Sequence, residues 1–186
     1  MVKERTVINT KKLVITAMFT ALIALATIVV QIPIPIGYVN LGDMFVLLSA
    51  FVLGAGYGCV AAGIGSSIAD IIVGYAIYAP ATFIIKACMA IVASVIFNLF
   101  SKKLKYKPLS MIVAGVIAEL IMVVGYFFYE AVILGYSWSA LYSIPGNLIQ
   151  GAVGIVVCIT IMSVFNNRNL FISEKNKNDS DKEKQE

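Results

Sequence analysis

From Leu13 to Phe165 the chain is a succession of apolar stretches cut by short connections, and a single knot of four lysines, Lys102, Lys103, Lys105 and Lys107, interrupts it. A helix crosses the lipid hydrocarbon with about 20 apolar residues, because every backbone polar group must be satisfied within the segment. Short loops rich in Lys and Arg stay on the cytoplasmic side. Two other positive clusters flank the apolar region, Lys3, Arg5, Lys11 and Lys12 before it and the tail from Arg168 after it. All three share one side only if an even number of crossings separates each from the next.

The segmentation meets that condition with six helices. Helix 1 is expected over 11–31, helix 2 over 41–53, helix 3 over 57–73, helix 4 over 81–101, helix 5 over 108–133 and helix 6 over 144–165. Pro33 and Pro35 exclude a helix from the 32–40 connection, since proline lacks the N–H and biases its predecessor to extended backbone. Gly54, Gly56 and Gly58 mark a tight turn between helices 2 and 3. Four crossings then return the chain to the lysine knot and two more return it to Arg168. Connections 32–40, 74–80 and 134–143 face outward, with no Lys or Arg but with Tyr38, Asn40, Tyr75, Tyr78, Tyr136, Trp138 and Tyr142. The expected organisation is all-α: a polar arm over 1–10, one six-helix membrane domain over 11–166, and a disordered polar tail over 167–186, with both termini cytoplasmic. The first stretch reads as an uncleaved helix rather than a signal peptide, because it leads into further spans without a convincing cleavage context.

Composition agrees. Hydrophobic residues make up 60% and charged residues 13% of the 186 positions, against roughly half and a quarter in soluble domains. The net charge of +4 resides in membrane-flanking clusters, so it orients the chain and implies no nucleic-acid partner. There is no His, no phosphate-binding G-x-x-x-x-G-K-[ST] loop and no metal-ligand spacing among Cys59, Cys88 and Cys158. Those cysteines read as small buried hydrophobes. Neither an enzyme nor a resident cofactor is expected.

Ionisable groups inside a span are costly and each needs a reason. Asp43, Asp70, Lys86, Glu119 and Glu130 qualify, mostly toward the outer face. At 100° per residue, Glu119, Tyr126 and Glu130 fall within roughly 40° of one another on helix 5. That polar, aromatic stripe should face the bundle interior. Asn147 and Gln150 lie near the outer end of helix 6, and Thr82 lies one turn before Lys86 on helix 4. An outward-opening pocket between helices 4, 5 and 6, lidded by the tyrosine-bearing loops, would gather them. The structural alternatives are that Lys86 pairs with Glu119 or Glu130, that Asp43 caps helix 2, that Asp70 anchors a loop, and that the tyrosines are interfacial belt residues. Small residues four apart, Ala17 and Ala21 on helix 1 and Ala61 and Gly65 on helix 3, allow close helix approach in lipid.

The runs GYVNLGD (37–43), IGSSIAD (64–70), GYAIYAP (74–80) and TFIIK (82–86) together resemble the S components of energy-coupling factor (ECF) transporters. The similarity is greatest to the ECF-type riboflavin transporter S component group, and it covers most of the chain. It implies a six-helix subunit in a bacterial plasma membrane that binds a vitamin or precursor at its outer face. It also implies partners: a transmembrane coupling subunit and two ATPases, which fits the missing phosphate loop. Ala17 and Ala21 match the helix 1 docking motif of the group. The implied binding region contains Tyr38, Asn40, Lys86, Glu119, Tyr126, Glu130 and Asn147. The substrate would be riboflavin, pyridoxine or a hydroxymethylpyrimidine-like compound. Two other readings stay open: a self-sufficient facilitator or ion-coupled transporter with Glu119 as proton carrier, and a non-binding regulatory membrane subunit.

Overall fold

The structure is a computed structural model that describes residues 10–101 and 107–183, with side chains described as far as 165. Lys102, Lys103 and Lys105 of the lysine knot, the N-terminal Lys3 and Arg5, and the side chain of Arg168 lie outside the described residues. Five long apolar helices make the body: α1 (Thr10–Val29), α2 (Gly42–Ile72), α3 (Ala79–Ser101), α4 (Lys107–Phe128) and α5 (Ile144–Glu183). Two short strands, β1 (Gln31–Pro33) and β2 (Tyr38–Asn40), pair antiparallel between α1 and α2. The 32–40 connection is thus a small hairpin, turning through Gly37 at φ +83°.

α2 decides the architecture. A straight helix of 31 residues would be about 46 Å long, yet Tyr38 just before it donates a hydrogen bond to Asp70 near its far end, at 2.7 Å. The helix is doubled over at Gly54, whose φ 82° and ψ 178° belong to a region that only glycine occupies cheaply. Past the bend, a Cβ on Gly58 would stand 3.1 Å from the Cα of Ala50 and from the carbonyl of Ser49. A hydrogen side chain there lets the two arms, 42–53 and 55–72, close this tightly, where a Cβ would push them apart by a few tenths of an ångström. The turn expected at 54–58 is therefore present, inside what is otherwise one helical segment. α2 packs against α1, α3 and α5, and α4 joins α3 to α5.

Burial follows the logic of a lipid solvent. Large apolar side chains point outward, Val29 at 74% and Val124 at 64% exposure among them. Small residues such as Ala61, Ala62, Ala90, Ala93, Ala114 and Ala118 are buried between helices, where they allow close packing. The polar and charged residues Asp43, Lys86, Glu119, Glu130 and Gln150 are also inside, as expected where exposure would mean contact with hydrocarbon.

α4 ends in a wider π turn, Tyr129–Ile133, followed by a 3₁₀ segment, Ser137–Ser143. The backbone of α5 runs on to Glu183, across residues that the sequence reading assigns to a disordered tail. Extending an existing helix needs no new nucleus, so continuing α5 costs less than starting a helix there.

Candidate functional site

Folding α2 back brings three connections to one end of the bundle: the β1–β2 hairpin, residues 73–78 and residues 134–143. Their tyrosines meet there. Tyr38 and Tyr75 have ring centroids 5.0 Å apart, Tyr75 and Tyr78 are at 6.0 Å, and Tyr78 and Tyr129 at 5.7 Å. The Tyr129 hydroxyl donates to the Ile77 carbonyl at 2.5 Å, tying the π turn to the second connection. Two of the described lysines, Lys12 and Lys107, lie at the other end. Lys12 stands 5.9 Å from the ring centre of Tyr57, three residues past the Gly54 bend, and Lys107 lies beside Phe97 and Met162.

Beneath the tyrosines is a cavity of about 400 Å³, counting its open mouth. Tyr38, Asn40, Asp70, Tyr75, Tyr78, Thr82, Tyr126, Glu130, Asn147 and Gln150 line it, with Ile36 and Gly37 of the hairpin. A wider recess above, bounded by Ile34, Pro35, Tyr136 and Ser139, shares Ile36, Gly37, Tyr75 and Tyr78 with it. Four residues thus stand between an outer vestibule and an inner chamber.

The floor is a buried polar network. Lys86, 3% exposed, forms an ion pair with Asp43, 1% exposed, and its ammonium also lies 3.0 Å from the sulfur of Met122. Gln150 Nε2 donates to the other Asp43 oxygen at 2.6 Å, and Gln150 Oε1 accepts from the backbone N–H of Asn40 at 2.8 Å. Asn40 Oδ1 in turn accepts from the N–H of Gly42 at 2.8 Å. One network therefore ties β2, the start of α2, α3 and α5. Two expectations are corrected here. Lys86 pairs with Asp43, not with Glu119 or Glu130. Asp43 does not cap α2, which has no side-chain cap from the preceding Leu41. The Asn40 side chain takes the first free N–H instead, leaving both Asp43 oxygens for a cation and an amide deep inside, where an unpaired Lys86 would be far more costly than an open helix end.

The walls carry hydroxyls. Thr82 and Tyr126 share a hydrogen bond of 3.0 Å, and Lys86 lies 5.7 Å from the Tyr126 ring centre. Ser143 donates to Glu130 Oε2 at 2.5 Å. Burial, reinforced by the neighbouring Asp70 carboxylate, pushes the Tyr38 hydroxyl well above its usual range. Burial and then Glu130 do the same at Tyr78. Both hydroxyls stay protonated donors at physiological pH.

Of the residues singled out from sequence, Tyr38, Asn40, Tyr126, Glu130 and Asn147 line the cavity. Lys86 sits under it through the Asp43 pair. Glu119 lies two turns below Tyr126, packed against Gly151, with neither carboxyl oxygen hydrogen-bonded. Asp70, Tyr75, Tyr78, Thr82 and Gln150 complete the lining. The pocket expected from sequence already gathered Thr82, Gln150 and the loop tyrosines; the fold-back of α2 adds Asp70 to them. Ala17 and Ala21 are exposed on the outer face of α1.

The ECF-type riboflavin transporter S component family model matches residues 7–167. The chain belongs to this family. Its members are components of membrane transporters rather than enzymes. An uncharacterised protein from the gap 3′ region of Pyrococcus woesei is 33% identical over 138 residues, covering 73% of this chain and 88% of that protein. The fold is similar to that of the S component of a bacterial ECF transporter, with a TM-score of 0.66 at 24% identity, over 85% of this chain and 96% of that one. For an S component, a polar cavity at one end of a lipid-facing bundle is the place to look for cargo.

Proposed function

We propose that this S-component family member captures a small aromatic vitamin or vitamin precursor in the tyrosine-lined cavity. Riboflavin, pyridoxine and a hydroxymethylpyrimidine-like compound are the candidates. The cargo is then handed to an energising module of a transmembrane coupling subunit and two ATPases. The observation that carries this reading is the cavity itself, in which four tyrosines and six other polar side chains converge at the end remote from Lys12 and Lys107. Aromatic faces and hydroxyls suit a flat, hydroxylated heterocycle.

In this reading the membrane is crossed six times, α2 counting twice, with both termini in the cytoplasm of a bacterial cell and the cavity facing the medium. Tyr38, Asn40, Tyr126, Glu130 and Asn147 contact the cargo, while Lys86 and Glu119 support the site from below. Ala17 and Ala21 dock the coupling subunit, and their exposure supports that role. Calorimetric titration of the purified protein with a vitamin panel tests the capture step. Saturable binding of one member is expected, and no binding to any of them would refute it. The unpartnered Glu119 is what favours a second reading, an ion-coupled transporter. Uptake into vesicles containing this protein alone, without ATPases, would establish that alternative.

A further inference from the structure

We infer that the cargo is an aromatic nitrogen heterocycle bearing a positive charge, fixed or from a bound proton, held between the carboxylates of Asp70 and Glu130 inside a cage of tyrosine rings. This rests on the capture reading and narrows its substrate class. The charge balance of the site carries it. Two carboxyl side chains line the cavity, and no Lys or Arg does among the described residues. The nearby cation, Lys86, is already committed to Asp43.

Asp70 adds the independent observation. It is 6% exposed and lines the cavity, its Oδ1 accepts the Tyr38 hydroxyl at 2.7 Å, and its Oδ2 has no hydrogen-bond partner. Buried acceptors are rarely left without a donor unless something else supplies one. Glu130, 2% exposed, receives the Ser143 hydroxyl on Oε2. Each acid is thus oriented by a neutral hydroxyl, and Lys86, the nearby cation, is paired with Asp43 instead. Tyr38, Tyr75, Tyr78 and Tyr126 line the cavity, and aromatic rings attract cations in a desolvated setting. A phosphorylated or otherwise anionic cargo would meet repulsion on two sides. A neutral flavin would bring no countercharge to the two acids.

The test is titration of the detergent-purified full chain at neutral pH with four probes: thiamine (a fixed cation), 4-amino-5-hydroxymethyl-2-methylpyrimidine (a weak base), riboflavin (neutral) and riboflavin phosphate (an anion). At least one of the first two is expected to bind about tenfold or more tighter than riboflavin, with the phosphate undetectable, since charge-assisted hydrogen bonds are roughly twice as strong as neutral ones. Asp70→Asn and Glu130→Gln are each expected to weaken the cation by about tenfold while eluting as a single monodisperse species. Riboflavin as the tightest probe overturns this inference and leaves the capture reading standing. Unchanged cation affinity in both variants overturns it as well. Binding of none of the probes overturns it, and a blank across the wider vitamin panel takes the capture reading with it. The comparison of probes on the wild-type protein needs no variant to fold.

Discussion

Replacing Lys86 with Met should destabilise the bundle far more than replacing Lys86 and Asp43 together. Both partners are almost wholly inside, at 3% and 1% exposure, and Gln150 is the other side chain that hydrogen-bonds to Asp43. Lys86→Met leaves the Asp43 charge with one neutral donor in a low-dielectric interior. Breaking one side of such a pair costs about 3–5 kcal/mol, whereas removing both charges together is often neutral or stabilising. For a chain of this length 1 kcal/mol corresponds to roughly 2–4 °C, so the single variant should unfold roughly 6–20 °C lower. The Asp43→Asn, Lys86→Met double variant should stay within about 1 kcal/mol of wild type. Cys158 is fully buried while Cys88 is exposed and Cys59 half-buried. With the latter two replaced by Ala, a thiol-reactive fluorophore in detergent reads unfolding through Cys158 alone. The four proteins form a double-mutant cycle, with a coupling of about 3 kcal/mol expected. A lone Lys86→Met variant as stable as wild type would refute the reasoning, and so would a double variant that loses the sum of the singles.

Gly54→Ala should lower stability by about 1–3 kcal/mol, because alanine is strained at that backbone geometry; the same thermal assay checks it, and an unchanged midpoint would mean that α2 does not fold back there. Tyr126→Phe removes the hydroxyl shared with Thr82 and should weaken cargo binding about fivefold, as expected for roughly 1 kcal/mol of hydrogen bond; titration that finds no change would remove Tyr126 from the site. Ala17→Trp and Ala21→Trp should abolish uptake into cells carrying the energising module while leaving the binding isotherm intact; loss of binding instead would contradict a docking role. Ile77→Cys in a cysteine-free background should react with a membrane-impermeant maleimide added to intact cells, since Ile77 is exposed beside the cavity mouth; labelling only after lysis would place that end in the cytoplasm.

Much of this was legible in the residues. Apolar run lengths, prolines and glycines locate the long helices to within a few residues, apart from the end of α5, which runs on to Glu183, because lipid crossing and backbone satisfaction dictate both. The polar stripe on helix 5 was also legible: Tyr126 and Glu130 do line the cavity. Partner choice was not. Asp43 sits 43 residues from Lys86 and 107 from Gln150, and no periodicity links positions so far apart. The capping reading of Asp43 failed because local sequence offered Asn40 no visible advantage, yet the β2 turn places its amide on the Gly42 N–H. Glu119 shared the stripe with Tyr126 but lies too deep to reach the cavity, a matter of helix rise that a wheel ignores.

Sequence alone determined that this is a lipid-embedded helical protein of the S-component kind, because hydrocarbon tolerates few other distributions of charge and apolar length. Only the tertiary structure decided which acid neutralises Lys86, which acids are left to face the cavity, and that both ends of α2 meet. Those outcomes depend on the fold-back at Gly54, a rotation of one residue that sets distances between groups scattered along the whole chain.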